Sequence, residues 1–525
     1  MAPRIPDIPE TRRSEEINQL FAVVEYQREV IQELRDEIAR LKGQKPRPAI
    51  KPSALGEDKG TKEEEGKGKD EDVKKRSKKE WLRIDEERII KAQDIPEGSR
   101  FKGYADWDVQ DLDIKVKNLR FRLEKWELAD GSYVQAQLPG WVKGHYSSQL
   151  VSYVLHQYYG CHVTQPLIME QLKEFGVYIS TGQINEMLVG LGGEFGQEKA
   201  GILEAGLAVS SYINVDDTGA RHEGKNGYCT HIGNEVFSWF ESTASKSRVN
   251  FLELLQEGVG QGYVINEEAI GYMGHQKMPQ ELMERLAMGD GYIEMDRWEE
   301  YVKGIGIKDQ RHIKIATEAG LIGSLVEHGI NKELAIVSDD AGQFDIWALL
   351  HGLCWLHAER PLKKMIGFNG EQRGEIEEVR AQVWDFYDEL KAYKTQPDVQ
   401  KAAELEVRFD QIFLRETGYE MLKENLRNIH KNKKELLLVL DRPDIPLHNN
   451  TSEQAIREYV KRRKISGSTR SDRGRWCRDT FTSLKKTCRK LGLSFWGYLN
   501  DRISGENALP NLGELIRQNH LASTY

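Results

Sequence analysis

The sequence predicts an α/β fold, and three observations carry the prediction. First, residues 211–222 (SYINVDDTGARH), 226–234 (NGYCTHIGN) and 235–245 (EVFSWFESTAS) are closely spaced strand-like runs, with turn residues at Glu223-Gly224-Lys225 and Gly233-Asn234. Loops this short imply an antiparallel meander. Second, a helix pattern at about 246–257 is followed, after a long insert, by ELAIVSDD at 333–340. The apolar run before its aspartates reads as a strand buried on both faces. Third, residues 372–440 return to uninterrupted helical patterning. Three antiparallel strands, a helix, a buried strand and then helices are the order of a ribonuclease-H-like core. It spans residues 206–505, with helical inserts at about 258–329 and 360–445.

The elements before this core follow in chain order. Over residues 14–42, Ile17, Leu20, Val24, Gln27, Ile31, Leu34, Ile38 and Leu41 alternate by three and four, and Gln27 alone is polar. This predicts a coiled coil that joins copies of the chain, rather than a helix packed on its own domain. Residues 43–80 mix Lys, Glu, Gly and Pro with almost nothing apolar, which is the composition of a disordered charged linker. Residues 81–145 carry short alternating stretches and a turn at Ala129-Asp130-Gly131, read as a small mixed domain. Residues 146–205 read as helical, with two short helices about Gly176. That pairing is compatible with a DNA-binding helix-turn-helix, although helix pairs of this shape are common in any α-rich domain. Residues 506–525 read as a C-terminal tail.

Composition narrows the setting. No run approaches the roughly 18 apolar residues of a membrane span, and the N-terminal MAPRIPDIPE lacks the apolar stretch of a signal peptide. Cys161, Cys229, Cys354, Cys477 and Cys488 are scattered and form no C-x-x-C pair, so a cytoplasmic chain is expected. The formal net charge of −9 by itself disfavours a polyanionic partner, but charge placement decides binding. Residues 457–490 hold 13 Lys or Arg against Glu458, Asp472 and Asp479, a local surplus of ten positive charges.

Three carboxylate positions stand out. Asp216-Asp217 ends the first strand, Asp339-Asp340 ends the buried strand, and Glu453 lies in the first turn of a helix opened by His448-Asn449-Asn450-Thr451. An aspartate pair ending an apolar strand is costly unless its charge is compensated. Either pair alone would read as a turn or a helix cap, but two such ends in one sheet point to chemistry. Phosphodiester transfer by two cations about 3.5–4 Å apart needs carboxylates converging from separate elements. Magnesium keeps several waters, so two or three carboxylates suffice. Thr451-Ser452-Glu453-Gln454 fits a capping box. Glu453, Arg457 and Lys461 then recur every four residues, with Lys464 near the same line. Seen alone, that helix would be a salt-bridged surface helix. In this position it reads as a metal ligand followed by phosphate-gripping bases. The small residues among Arg463, Lys464, Arg470 and Arg473 let backbone N–H groups approach a phosphate.

Four ordered stretches carry a resemblance. Val215-Asp216-Asp217-Thr218 resembles a D-E-T segment and Val337-Ser338-Asp339-Asp340 a T-D-G segment. Cys354-Trp355-Leu356-His357-Ala358-Glu359-Arg360 is similar to C-W-A-H-A-R-R. Asn449-Asn450-Thr451-Ser452-Glu453, with Arg463-Lys464 and Gly467-Ser468 downstream, resembles N-N-x-x-E followed by R-K and G-S. Together they resemble the insertion-sequence 66 family of bacterial DDE transposases, over roughly residues 150 to 500.

The resemblance implies Asp216, Asp339 and Glu453 as catalytic and metal-binding residues. It selects the first member of each doublet, which strand parity leaves open. It also implies two Mg²⁺ ions (Mn²⁺ as a substitute), hydrolysis freeing a 3′-hydroxyl, and attack of that hydroxyl on target DNA. The expected partners are element-end and target DNA at the nucleoid and further copies of the chain; the need for helper proteins is left open by the sequence. Residues 81–145 lack the cysteines of the family's zinc-finger-like segment, and Cys354 with His357 makes only half a tetrahedral site, so zinc is not expected. Two other readings are weighed: a domesticated DNA-binding protein without chemistry, and a nuclease without strand transfer.

Overall fold

The computed structural model describes residues 83–139, 144–289 and 291–523, in two units that divide after Asp108. The coiled coil expected over 14–42 and the linker over 43–80 lie outside the described residues. In the first unit, residues 83–108 form no helix or strand and are exposed throughout. In the second, residues 109–139 carry one hairpin, Lys125–Glu127 with Tyr133–Gln135, and every residue but the half-buried Leu123 is exposed. The packed mixed domain expected over 81–145 is therefore absent from these described residues. Their large apolar side chains are exposed, as at Trp107 and Val109, and even the ring pair Phe101 and Tyr104, 5.1 Å apart, is open to solvent.

The elements that build the site begin with α1 (Gly192–Val209), β1 (Tyr212–Gly219), β2 (Tyr228–Gly233), β3 (Ser238–Thr243) and α2 (Arg248–Gln256). They continue with α3 (Gln310–Glu327), β4 (Ala335–Ser338), β5 (Leu350–Leu353), α4 (Trp355–Lys364), α5 (Asn450–Ser466) and α6 (Asp472–Lys490). Five strands make one mixed sheet in the order β3-β2-β1-β4-β5. β2 is antiparallel to both its neighbours, whereas β1, β4 and β5 run parallel. The hairpin from β1 to β2 turns through Glu223 and Gly224 at φ 49° and 78°, the positive values that tight hairpin turns require.

Both sheet faces are covered, as the apolar run of β4 predicted. Ile336 joins Ile213, Val215 and Trp239 in a core with α1, α2 and α3. Ala335 and Val337, pointing the other way, join Leu353 and Trp355 in a second core. That second core is completed by helices Gly370–Thr395, Val399–Phe413 and Glu420–Lys431. α3, which the sequence reading counted within an insert, is thus a layer of the central core. The rest of that insert, including the stacked pair Tyr263 and Trp298 at 4.2 Å, packs into the same cluster.

α6 runs along the exposed edge of β3 and satisfies it. The N–H groups of Ser238 and Phe240 donate to the hydroxyls of Thr487 (3.1 Å) and Ser483 (2.9 Å). α6 approaches α1 closely because Gly192 and Gly196 leave room for Trp476. A Cβ at either glycine would come within 2.4 or 2.2 Å of the indole. The expected C-terminal tail is instead a helix, Leu512–Ser523, with Leu512 and Ile516 buried in the core. Their spacing of four gives that segment a buried stripe.

Candidate active site

Two of the three predicted acids lie side by side. In the parallel pair β1–β4, Asn214 stands opposite Val337, and Asp216 and Asp339 each follow two residues later. Both stand just past the last β1–β4 pairing, on strands about 4.8 Å apart; Asp339 directly follows β4, whereas Asp216 lies inside β1, which runs on to Gly219 against β2, so the strand end expected at Asp216-Asp217 is not where β1 stops. The second member of each doublet is occupied by neutral donors. Asp217 accepts from Thr230 Oγ1 (3.0 Å) and Gln343 Nε2 (2.8 Å), and Asp340 from Asn432 Nδ2 (3.0 Å). Asp216 accepts the N–H of Asp217 (2.8 Å), while Asp339 Oδ1 is buried without a hydrogen-bond partner.

Helix α5, which carries Glu453, is tied to β1 by a buried hub at its start. Asn449 Nδ2 donates to Val215 O (2.7 Å), one residue before Asp216, and its Oδ1 accepts from Asn214 Nδ2 (3.0 Å). The Asn449 N–H donates to Cys354 Sγ (3.2 Å). One turn on, Ser452 Oγ pairs with His231 Nδ1 (2.7 Å). The capping box expected at Thr451 is not formed. Helix α5 starts at Asn450, and its N-cap Asn449 makes no side-chain cap because that side chain is committed to β1. Asn449→Ala would leave Asn214 and Val215 O unpartnered inside the protein. It is expected to cost about 2 kcal/mol, read as a lower urea midpoint at unchanged m-value.

The electrostatics follow from this packing. Burial pushes the Asp216 carboxyl up to about 7; the like charges of Asp339, Asp217 and Glu453 add to this, and the N–H of Asp217 opposes it. Burial also raises Asp217, against its bonds to Gln343 and Thr230. Two guanidinium groups and an imidazole stand around Glu453: Arg457 Nη2 lies 3.6 Å from Oε2, while Arg360 Nη2 and His357 Nε2 lie 4.0 and 3.7 Å from Oε1, and burial with the Arg360 charge holds the His357 ring below the ordinary histidine pKa. None reaches hydrogen-bond distance, and Glu453 Oε1 is buried without a hydrogen-bond partner.

Among the described residues, no three His, Cys, Asp or Glu side chains are drawn tightly enough together to hold one ion. The donor chemistry nevertheless fits a hard cation. Asp339 and Glu453 each keep a buried oxygen without a donor, beside an Asp216 whose charge they disfavour. Magnesium bound by two carboxylates and waters needs no third side chain.

Arg457, Lys461, Lys464, Arg470 and Arg473 are exposed. Arg463 is half-buried and turns back, donating to Gly219 O and to Thr218 Oγ1 (3.4 Å) at the end of β1. Arg473 donates to Gly190 O (3.3 Å). The loop carrying Arg470 is pinned to the β1–β2 turn, where Glu223 N donates to Thr469 O (2.8 Å). The local surplus of positive charge is only partly a surface. Arg462 lies 3.7 Å above the Tyr158 ring, Arg478 donates to Gly467 O (3.3 Å), and Lys485 is buried against Glu458. Sequence reasoning missed His357, Arg360, Asn214 and Gln343 as neighbours of the acids. The first two lie within the Cys354–Arg360 stretch, whose role in the resemblance carried no spatial assignment.

Comparisons with known proteins agree with this region. A family model described as "Transposase IS66 family" matches residues 334–475, the span from β4 to the start of α6. The chain is also 46% identical over 306 residues to the uncharacterized protein y4jO of Sinorhizobium fredii, covering 58% of this chain and 94% of that relative.

Proposed function

Since the chain belongs to the IS66 family of transposases, we propose that it cuts and joins DNA strands at the ends of an insertion sequence, with Asp216, Asp339 and Glu453 as its metal-holding carboxylates. The carrying observation is the placement of Asp216 and Asp339 just past the last pairing of adjacent parallel strands, with Asp339 Oδ1 and Glu453 Oε1 each buried without a hydrogen-bond partner. The sheet order, with β2 alone reversed, supports the ribonuclease-H-like reading.

Magnesium or manganese, when bound, supplies charge neutralisation and an activated oxygen nucleophile. The protein's own residues do the rest. β1 and β4 hold Asp216 and Asp339 at fixed separation, and the Asn449 hub sets Glu453 against them. Exposed Arg457, Lys461 and Lys464 descend α5 from Glu453 and neutralise backbone phosphates, while Arg463 and Arg473 fasten the surrounding loops. The helices Gln165–Glu174 and Thr181–Gly190, joined through Gly176 at φ 88° and capped by Ser180, support a helix-turn-helix for the element ends. Copies of the chain are joined through residues 14–42. No described helix is long and apolar enough to cross a membrane.

The test is incubation of the full chain with labelled element-end DNA and Mg²⁺. Nicked and then joined products are expected. Nicks without joining would make the protein a nuclease, and binding without either would make it a DNA-binding protein. A second expectation concerns phosphate contacts. Lys461→Gln with Lys464→Gln should weaken binding to many duplex sequences alike and flatten log K against log salt by about 1.8. Loss confined to element ends would assign these residues to base reading instead.

A further inference from the structure

Resting on that reading of the acids, we propose that the outward face of α4, formed by His357, Arg360 and Lys364, is a second phosphate-binding row for duplex DNA. It takes the backbone on the other side of Glu453 from Arg457, Lys461 and Lys464.

The geometry begins with the carboxylate between the two helices. Arg457, from α5, approaches Glu453 Oε2, while His357 and Arg360, from α4, approach Oε1. Cations therefore reach the acid from two sides, each from its own helix. Along α4 the positions 357, 360 and 364 are separated by three and four residues and so share one face. The opposite face is buried through Trp355, Glu359 and Leu362, with Glu359 paired to Arg380 Nε at 2.6 Å. This inner anchoring fixes which way the outer row points. The start of the helix is fixed as well, since Trp355 N donates to Leu447 O (3.0 Å) just before α5. Arg360 and Lys364 are exposed, and His357 is half-buried with Nδ1 lacking a hydrogen-bond partner.

One carboxylate does not account for this much positive charge. Neither guanidinium beside Glu453 closes to hydrogen-bond distance, and Lys364 lies a further turn away from it. Two basic helix faces meeting at an acidic centre suit a polyanion that runs across that centre, one backbone stretch on each helix. His357, deepest in the row and nearest the acids, is then a positioning residue for the phosphate at the cut. Arg360 and Lys364 grip the phosphates beyond it.

The test uses the full chain and a random-sequence duplex, with binding measured across a salt series without metal. Arg360→Gln combined with Lys364→Gln should flatten the salt dependence by about 1.8 log units, and Arg360→Lys should restore its share. An unchanged slope in the double variant, with unchanged thermal melting, would overturn the second row. For His357→Ala, the slope and the affinity for Mn²⁺ alone should stay within about twofold, while Mn²⁺-dependent nicking of supercoiled plasmid should fall at least tenfold, in the range expected for loss of a positioning contact. If His357→Ala loses Mn²⁺ affinity, the side chain is a metal ligand and its phosphate role is wrong. Asp339→Asn keeps the two ideas separable. Undiminished Mn²⁺ affinity in that variant would count against the carboxylate reading, while the salt slope would still judge the α4 row.

Discussion

Replacing Asp339 with Asn should abolish Mg²⁺-dependent cleavage of element-end DNA, lowering the rate on the order of 10³-fold or more. The substitution is nearly isosteric. It removes the charge from a strand end where Asp339 Oδ1 is buried without a partner and where Asp216 and Glu453 are its acidic neighbours. Stability should not fall and is expected to rise slightly in the absence of metal, because a repelling charge is lost. DNA affinity without metal should also be kept. This combination, intact folding and binding with absent chemistry, separates a catalytic acid from a structural one. Asp340→Asn is the control: that side chain is exposed and bonded to Asn432, so cleavage should change little. If Asp339→Asn cleaves at the wild-type rate, the acid assignment is wrong.

The largest expected loss of stability is at Glu458, on α5 beyond Glu453. Its carboxylate pairs with Lys485, with Lys486 at 3.0 Å, with Arg489 at 3.4 Å, and with His162 at 3.6 Å. Burial by itself would raise its pKa, but hydrogen bonds from His162 and Lys485 and the charges of Lys485 and Lys486 outweigh this and hold it well below the usual carboxylate range. Burial also lowers the Lys485 ammonium, which the pairing with Glu458 offsets only in part. Glu458→Ala leaves Lys485 buried and uncompensated and is expected to cost about 3–5 kcal/mol, measured by urea denaturation at neutral pH. Adding Lys485→Met should recover much of that loss. Because the folded pKa is depressed, the wild-type contribution is present above the ordinary carboxylate value of about 4.3. It is lost as pH falls through the folded value, so the gap between wild type and variant should narrow only in acid. A gap that stays constant from neutral pH to acid would show that packing, not charge, is lost.

How much of this was legible depended on whether the signal was local. β1 and β4 could be read because apolar runs ended in acid doublets, and both faces of β4 proved to be covered. β5 carries no such local signal: its four residues, Leu350–Leu353, include His351 and Gly352 and show no alternation. α5 starts at Asn450, ahead of the capping box that the sequence predicts at Thr451. A local capping pattern at Thr451 competed with Asn449, whose side chain crosses to a strand more than 200 positions earlier. The basic stretch after Glu453 was read from net charge, which does not show that Arg462, Arg478 and Lys485 face inward. His357 and Arg360 lie near Glu453 only because α4 and α5 are tied through Trp355 and Leu447, and nothing local in either segment announces that contact. The doublets illustrate the same limit. Strand parity was ambiguous in the sequence, and the distinction between Asp216 and Asp217 rests on Thr230 and Gln343 coming from other elements.

The most direct test of the central claim is anomalous diffraction from crystals of the protein soaked in Mn²⁺. The account predicts manganese peaks within coordination distance of Asp216 and Asp339, with Glu453 on the same cluster. Peaks elsewhere, or manganese bound with the three carboxylates facing away from it, would contradict it.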